Sequence, residues 1–197
     1  PHITIPQHRP KRLHFIFSYF RSLRFALFSA KISPAMISYW QQKNGQFIRV
    51  PGKRLNTENR TWVDARNVSS IDASLLETSC GIDYDHIVDI LDPDELSRIE
   101  EGGSYVLIII RMPMYDPAAE VPFYTIPLGI VIEGNTIITI CSSSCDILGG
   151  IASGQVKGIT LDDFPDFIIK LMSRADTTFL RYLKEINRQT TAMQREL

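Results

Sequence analysis

The sequence predicts a mixed α/β domain, a buried sheet with helices packed over it, and three observations point there. Residues 122–141 (PFYTIPLGIVIEGNTIITIC) hold two apolar, β-branched runs, 128–132 and 136–140, joined at Gly134-Asn135. Gly-Asn accepts the positive φ that a two-residue hairpin demands. A third run, residues 105–110 (YVLIII), has the same character, and all three are nearly continuous in apolar residues, as strands covered on both faces are. Near the end of the chain, Ile168, Leu171, Ala175, Phe179, Tyr182, Ile186, Thr190, Met193 and Leu197 recur at steps of three and four, the period of one helix face.

The other elements follow in order. Residues 47–50 form a short strand before Pro51-Gly52, and residues 61–65 (TWVDA) form another, anchored by Trp62 and Val63. Ser69 or Ser70 caps a helix over 71–79 whose apolar members are Ile71, Leu75 and Leu76, and Gly81 stops it. Asp83 caps a second helix over 84–91, with Ile87, Ile90 and Leu91 turned inward and Pro93 beyond its end. Residues 92–101 (DPDELSRIEE) read as a polar connection leading through Gly102-Gly103 into the YVLIII strand. Asp116-Pro117 marks a loop before the hairpin. After it, Ser144 caps a helix through Ile147 and Ile151, weakened by glycines at 149, 150, 154 and 158. Asp162 caps the final helix, Pro165 lies in its first turn, and Thr177-Thr178 is the expected break. The stripe is still running at Leu197, which predicts that the sequence is cut within a longer helix.

Composition narrows the function. The 197 residues suit one sizeable domain, and no apolar run approaches the roughly 18 residues of a membrane helix. Cys80, Cys141 and Cys145 make no disulfide framework; they read as buried or half-buried thiols, with a soft-metal pair at Cys141/Cys145 as the lesser alternative. The net charge of −1 hides an asymmetry, because residues 1–35 contain six basic residues and no acid. Removing those six leaves 15 basic residues against 22 acids in residues 36–197, which argues against nucleic acid as a partner and suits a cation. Residues 1–35 read as an N-terminal extension, upstream or appended sequence, with the domain beginning at Met36. The alternative is a basic amphipathic or targeting segment over residues 13–28, although Arg21 and Arg24 interrupt its apolar run.

Acids concentrate in one stretch. Asp83, Asp85, Asp89, Asp92, Asp94, Glu95, Glu100 and Glu101 fall within nineteen residues opposed only by Arg98, and Asp85 and Asp89 share a helix face. Hard divalent cations take such oxygen ligands, and Mg²⁺ commonly uses one or two carboxylates while keeping its waters. The same acids also read as a solvated surface, with Asp83 and Asp85 favoured by the dipole at a helix start.

The order of motifs resembles the cytoplasmic amino-terminal domain of the CorA family of divalent metal-ion transporters. It runs from the Trp62-Val63-Asp64 strand through a helix, Cys80-Gly81-Ile82, a second helix ending Asp89-Ile90-Leu91 and the acidic segment to Glu100. The LGIVIEGNTIITI hairpin of residues 128–140 completes the series. The resemblance covers residues 36–197 and lies in this order rather than in any single motif. It implies an α/β/α sandwich with a mixed central sheet, forming the cytosolic mouth of a homopentamer in the cell inner membrane, with the C-terminal helix starting a stalk. It also implies that Mg²⁺ held between neighbouring domains favours a closed pore, with Asp89 matching the family's helix aspartate and its partner lying beyond Leu197. Co²⁺, Ni²⁺ and Zn²⁺ are the other ions that relatives handle. Two positions depart from the family pattern: Ser97-Arg98 stands where Arg-Pro is usual, and Val88 where an acid often precedes the helix aspartate. The family's membrane helices and Gly-Met-Asn signature are not among these residues, and a fragment without them is expected to be mainly monomeric.

Two other functions compete. A soluble α/β enzyme finds no Gly-rich phosphate loop, no Gly-x-Ser-x-Gly, no His/Cys pairing and no zinc signature to support it, and His86 beside the acids reads as a surface residue. An interaction domain that oligomerises through its terminal helix is the third reading.

Overall fold

A computed structural model describes residues 36–51 and 58–196. The expectations for residues 1–35 lie outside these. The described residues form seven strands and four helices: β1 (Met36–Lys43), β2 (Gln46–Val50), β3 (Thr61–Arg66), α1 (Ser70–Cys80), α2 (Tyr84–Leu91), β4 (Arg98–Gly102), β5 (Tyr105–Tyr115), β6 (Phe123–Glu133), β7 (Thr136–Ile140), α3 (Asp146–Ala152) and α4 (Phe164–Glu196). No helix among them is long and apolar enough to cross a membrane.

The strands form one mixed sheet in the order β2-β1-β3-β7-β6-β5-β4. Only β3 and β7 run parallel, with Trp62 opposite Ile137 and Ala65 opposite Ile140. The expected hairpin is present: β6 and β7 pair from Glu133↔Thr136 to Gly129↔Ile140, and Gly134 carries a φ of 52° at the turn. Every residue of β7 is buried, its two threonines included, as a nearly continuous apolar run requires. The side chains of the central strands divide between two cores. Val63, Ala65, Ile138, Ile140 and Val131 pack with α1 and α2 on one face, while Trp62, Ile137, Ile130 and Leu128 pack with α3 and α4 on the other. The result is the expected three-layer α/β/α sandwich.

Trp62 is the centre of the second core. Its ring lies 6.2 Å from Trp40, 5.5 Å from Phe47 and 5.6 Å from Phe167, and its Nε1 donates to Thr139 Oγ1 at 2.9 Å. The aromatic contacts supply area, and the hydrogen bond satisfies the one polar atom that burial would orphan.

Several local expectations are corrected. Ser69 caps α1 in a capping box with Asp72, and Gly81 closes the helix in the left-handed conformation. The helix nevertheless turns Ala73, Leu76 and Cys80 inward and leaves Ile71 90% and Leu75 55% exposed, so two of the three apolar residues counted on lie outside. Small residues on the inner face let the helix approach the sheet. Asp83 starts α2 without a side-chain capping bond. Residues 98–102, expected to be connection and lead-in, form the edge strand β4. Asp163 rather than Asp162 caps α4, accepting from the Asp166 N–H at 3.1 Å, because the Asp162 carboxylate already accepts from Thr160 Oγ1 at 3.0 Å. There is no break at Thr177-Thr178; both hydroxyls donate back to the carbonyls of Ser173 and Arg174 and stay within a continuous helix of 33 residues.

A charged pair lies inside the second core. Asp64 is fully buried on β3, with Arg66 NH2 2.9 Å from its Oδ2. Burial pushes the Asp64 carboxyl up to about 6 against the opposing pull of Arg66. Between roughly pH 4 and 6 the folded chain therefore keeps a proton that the unfolded chain has released, and this group's contribution falls as pH rises. At ~1.4 kcal/mol per pKa unit the loss by pH 7 is about 3 kcal/mol. In urea unfolding, the stability of Asp64→Asn relative to the unsubstituted chain should improve by about that amount between pH 4 and 7. A difference that does not change with pH would refute the assignment.

Candidate functional site

The acids of residues 83–101 separate into those the fold brings together and those it leaves in solvent. The face of α2 that carries Ile87 and Ile90 is buried against the sheet, which turns Asp89 towards the edge strand. Close approach there depends on Gly129 of β6: a Cβ at that position would lie 2.3 Å from Ile90 Cδ1 and 2.6 Å from its Cγ1. On β4, Arg98 and Glu100 alternate with exposed Ile99, and their partners Ile109 and Leu107 belong to the core under α1 and α2. Arg98 and Glu100 thus emerge on the α2 side of the sheet.

Arg98 is the hub of what results. Its NH2 is 2.7 Å from Asp89 Oδ2, its Nε is 2.9 Å from Glu100 Oε2, and its NH1 meets Glu95 Oε1. The Asp89 side chain is 43% exposed and that of Arg98 29%. Glu100 continues the network to His86 Nε2 at 3.3 Å, and His86 Nδ1 lies 2.6 Å from the Tyr105 hydroxyl. Tyr105 also accepts the backbone N–H of Asp83 at 3.0 Å. The Tyr105 hydroxyl and the His86 ring thus link Glu100 to the start of α2. The guanidinium beside Glu100, aided by His86, holds its carboxyl below the usual range, and Glu100 first, then Asp89 and Glu95, raise the Arg98 group. The segment carrying Glu95 is anchored separately. Arg111 NH1 donates to the Pro93 and Glu95 carbonyls at 2.5 and 3.0 Å, while its Nε and NH2 hold Thr125 Oγ1.

Of the acids singled out from the sequence, Asp89, Glu95 and Glu100 therefore converge. Asp83, Asp85, Asp94 and Glu101 remain exposed, and Asp92 turns its carboxylate onto the Asp94 N–H at 3.0 Å. His86 is not the surface residue expected; its side chain is only 13% exposed. Tyr105 was missed because it sits in a run read only for strand character, and Arg111 because it lies just past the end of that run. The signal for Arg98 was available, since it is the one Lys or Arg among residues 83–101.

Asp89 suits a shared cation site as a half-exposed carboxylate. Within one chain the fit is incomplete. No group of three or more His, Cys, Asp or Glu among the described residues is placed to hold a metal ion, and the cation that the three converging carboxylates face is Arg98. The cysteines Cys141 and Cys145 are buried with their thiols pushed up chiefly by burial, which disfavours the thiolates a soft metal needs. An apolar groove of about 760 Å³ lies elsewhere, along α4 at the clustered rings of Tyr115, Phe123 and Tyr182.

A three-layer domain with a long terminal helix has counterparts among known proteins. The family model described as CorA-like Mg²⁺ transporter protein matches residues 58–197, most of the chain, and the chain belongs to that family. The cobalt/magnesium transport protein CorA of Methanocaldococcus jannaschii is 30% identical over 88 residues, 45% of this chain and 26% of that protein. The complete structure of the CorA magnesium transporter from the same organism superposes with a TM-score of 0.67 at 17% identity, covering 82% of this chain and 50% of that one. The soluble domain of that CorA gives 0.66 at 19% identity, with coverages of 82% and 64%. The ZntB cytoplasmic domain from Vibrio parahaemolyticus gives 0.61 at 11%, with 77% and 62%. At these identities the structural likeness is one of fold. The chain spans a quarter to under two thirds of the length of these relatives.

The approach of α2 to β6 is testable. Gly129→Ala should destabilise the chain by about 1–3 kcal/mol, the usual cost of overpacking a filled core. Adding Ile90→Ala, which empties the space the new methyl enters, should recover part of that loss in a double-mutant cycle of urea unfolding. Additive losses would show that Gly129 and Ile90 do not meet.

Proposed function

We propose that the chain is the cytoplasmic regulatory domain of a magnesium/cobalt ion transporter, sensing intracellular divalent cations and gating the pore. The observation that carries this reading is the family match over residues 58–197, joined to an α/β/α domain that ends in a long helix. In this reading the chain is not an enzyme. The whole protein is a homopentamer in the cell inner membrane, and the domain reaches the membrane only through further helices. Mg²⁺ is the regulatory ion, with Co²⁺, Ni²⁺ and Zn²⁺ as alternatives. Asp89 contributes one carboxylate to a weak site completed by a neighbouring subunit. Its partial exposure on α2 supports that role, and Mg²⁺ gives up its hydration shell too reluctantly for one carboxylate to hold it tightly.

In a flux assay on the whole transporter, Asp89→Asn should raise the Mg²⁺ concentration that closes the pore while leaving conduction intact. Closure at the unchanged concentration would remove Asp89 from the sensor. The 197-residue chain by itself should sediment mainly as a monomer at micromolar concentration, because weak contacts between domains are concentration-dependent. A tight pentamer would contradict this.

A further inference from the structure

Arg98 occupies the place among these acids that a cation would take. Three of its nitrogens meet three carboxylates drawn from three separate pieces of structure: Asp89 from α2, Glu95 from the loop, and Glu100 from β4. Each piece is positioned by contacts that do not involve the Arg98 guanidinium. Helix α2 is seated by Ile87 and Ile90, the loop by Arg111, and β4 by its pairing with β5. The carboxylates would therefore face one another, like charge to like charge, if the guanidinium left.

We propose that Arg98 is the resident cation of this cluster, a tethered guanidinium that competes with divalent cations for Asp89 and so sets the ion concentration at which the site fills. The inference rests on the reading of Asp89 as part of a cation site. A guanidinium presents a planar fork of N–H donors to carboxylates. A hydrated Mg²⁺ presents its coordinated waters as donors in the same way, or takes a carboxylate directly. The two cations repel, so an ion that takes Asp89 displaces Arg98. The guanidinium is tied to the same chain a few residues from its partners, which gives it a high effective concentration and weakens the ion's apparent binding. The chain thus carries a built-in antagonist of its own proposed ligand. Arg98 is the one Lys or Arg in residues 83–101, and Arg111, which reaches the same loop, is engaged with the Pro93 and Glu95 carbonyls.

The test is titration of the 197-residue chain with MgCl₂, and separately CoCl₂, by calorimetry and by the shift in unfolding temperature. Arg98→Gln should bind each ion on the order of fivefold to tenfold more tightly than the unsubstituted chain, the combined effect of several partly exposed ion pairs. Arg98→Gln/Asp89→Asn should lose that gain. Arg98→Lys, which keeps the charge and loses the fork, should stay near the unsubstituted affinity. A folded Arg98→Gln that binds no more tightly overturns the proposal, as does a gain that survives Asp89→Asn. Should Arg98→Gln fail to fold, the Arg98 Nε–H resonance of the unsubstituted chain decides: it should move on Mg²⁺ addition, and an unmoved resonance at saturating ion overturns the proposal. These outcomes separate from the regulatory reading. Tighter binding in Arg98→Gln together with unchanged pore closure in Asp89→Asn would retain the competitor and discard the sensor.

Discussion

The fold depends on the burial of both faces of β3, β7 and β6. A parallel pair at the centre of a sheet cannot turn one face to water when its residues are apolar on both, so a helix layer must cover each. Trp62 and Ile137 recruit α3 and α4 on one side; Val63, Ile138 and Val131 recruit α1 and α2 on the other. The position of Asp89 follows from this. Ile87 and Ile90 are drawn to the sheet, Gly129 provides the room, and the residue between the inward Ile87 and Ile90 that reaches the edge strand is Asp89. The candidate site is thus a by-product of core packing, held in place by groups that touch no ion.

Two arginines in the domain meet carboxylates under opposite conditions of solvation. Arg66 lies beside an Asp64 with no exposed surface, and desolvation outweighs the attraction, lifting the acid towards neutrality. Arg98 lies at the surface, where water continues to stabilise both partners, and Glu100 is drawn down instead. The first pair spends stability inside the core. The second costs little to make and little to break, which is the property a replaceable cation requires.

The sheet was legible in the sequence because its central strands are nearly continuous in apolar residues and its hairpin carries a turn dipeptide. The helices over it were legible as elements but not always in phase. In α1 the inward residues are Ala73, Leu76 and Cys80, and two small side chains among them left the large exposed Ile71 and Leu75 to dominate the pattern. Strand β4 was hidden because an edge strand needs only one covered face, and its sequence, RIEEG, spends that face on Arg98 and Glu100 rather than on apolar side chains. Asp89 could be picked out by its place in a family order. Arg98 stood out as the one base among the acids, but which acids it meets could not be read, because Arg98, Glu95 and Glu100 come together only through pairing of β4 with β5 and anchoring of the loop by Arg111, which no local spacing encodes.

The placement of the two features constrains how regulation could operate within the proposed reading. Helix α2 with Asp89 packs on one face of the sheet, and α4 packs on the other. An ion at Asp89 therefore cannot touch the α4 of its own chain where that helix packs on the sheet. The layer between them is filled on both sides, and a filled core resists continuous deformation. Transmission by bending the sheet is accordingly disfavoured. What remains is motion of the domain as a rigid body against a neighbour, with α4 carried along because Phe167, Leu171 and Ala175 fix it to the sheet. Under the proposed function, the carboxylate cluster would act at a domain boundary and the long helix would act as the lever. The small energy of exchanging Arg98 for an ion need only bias the contact between domains, not remodel either one.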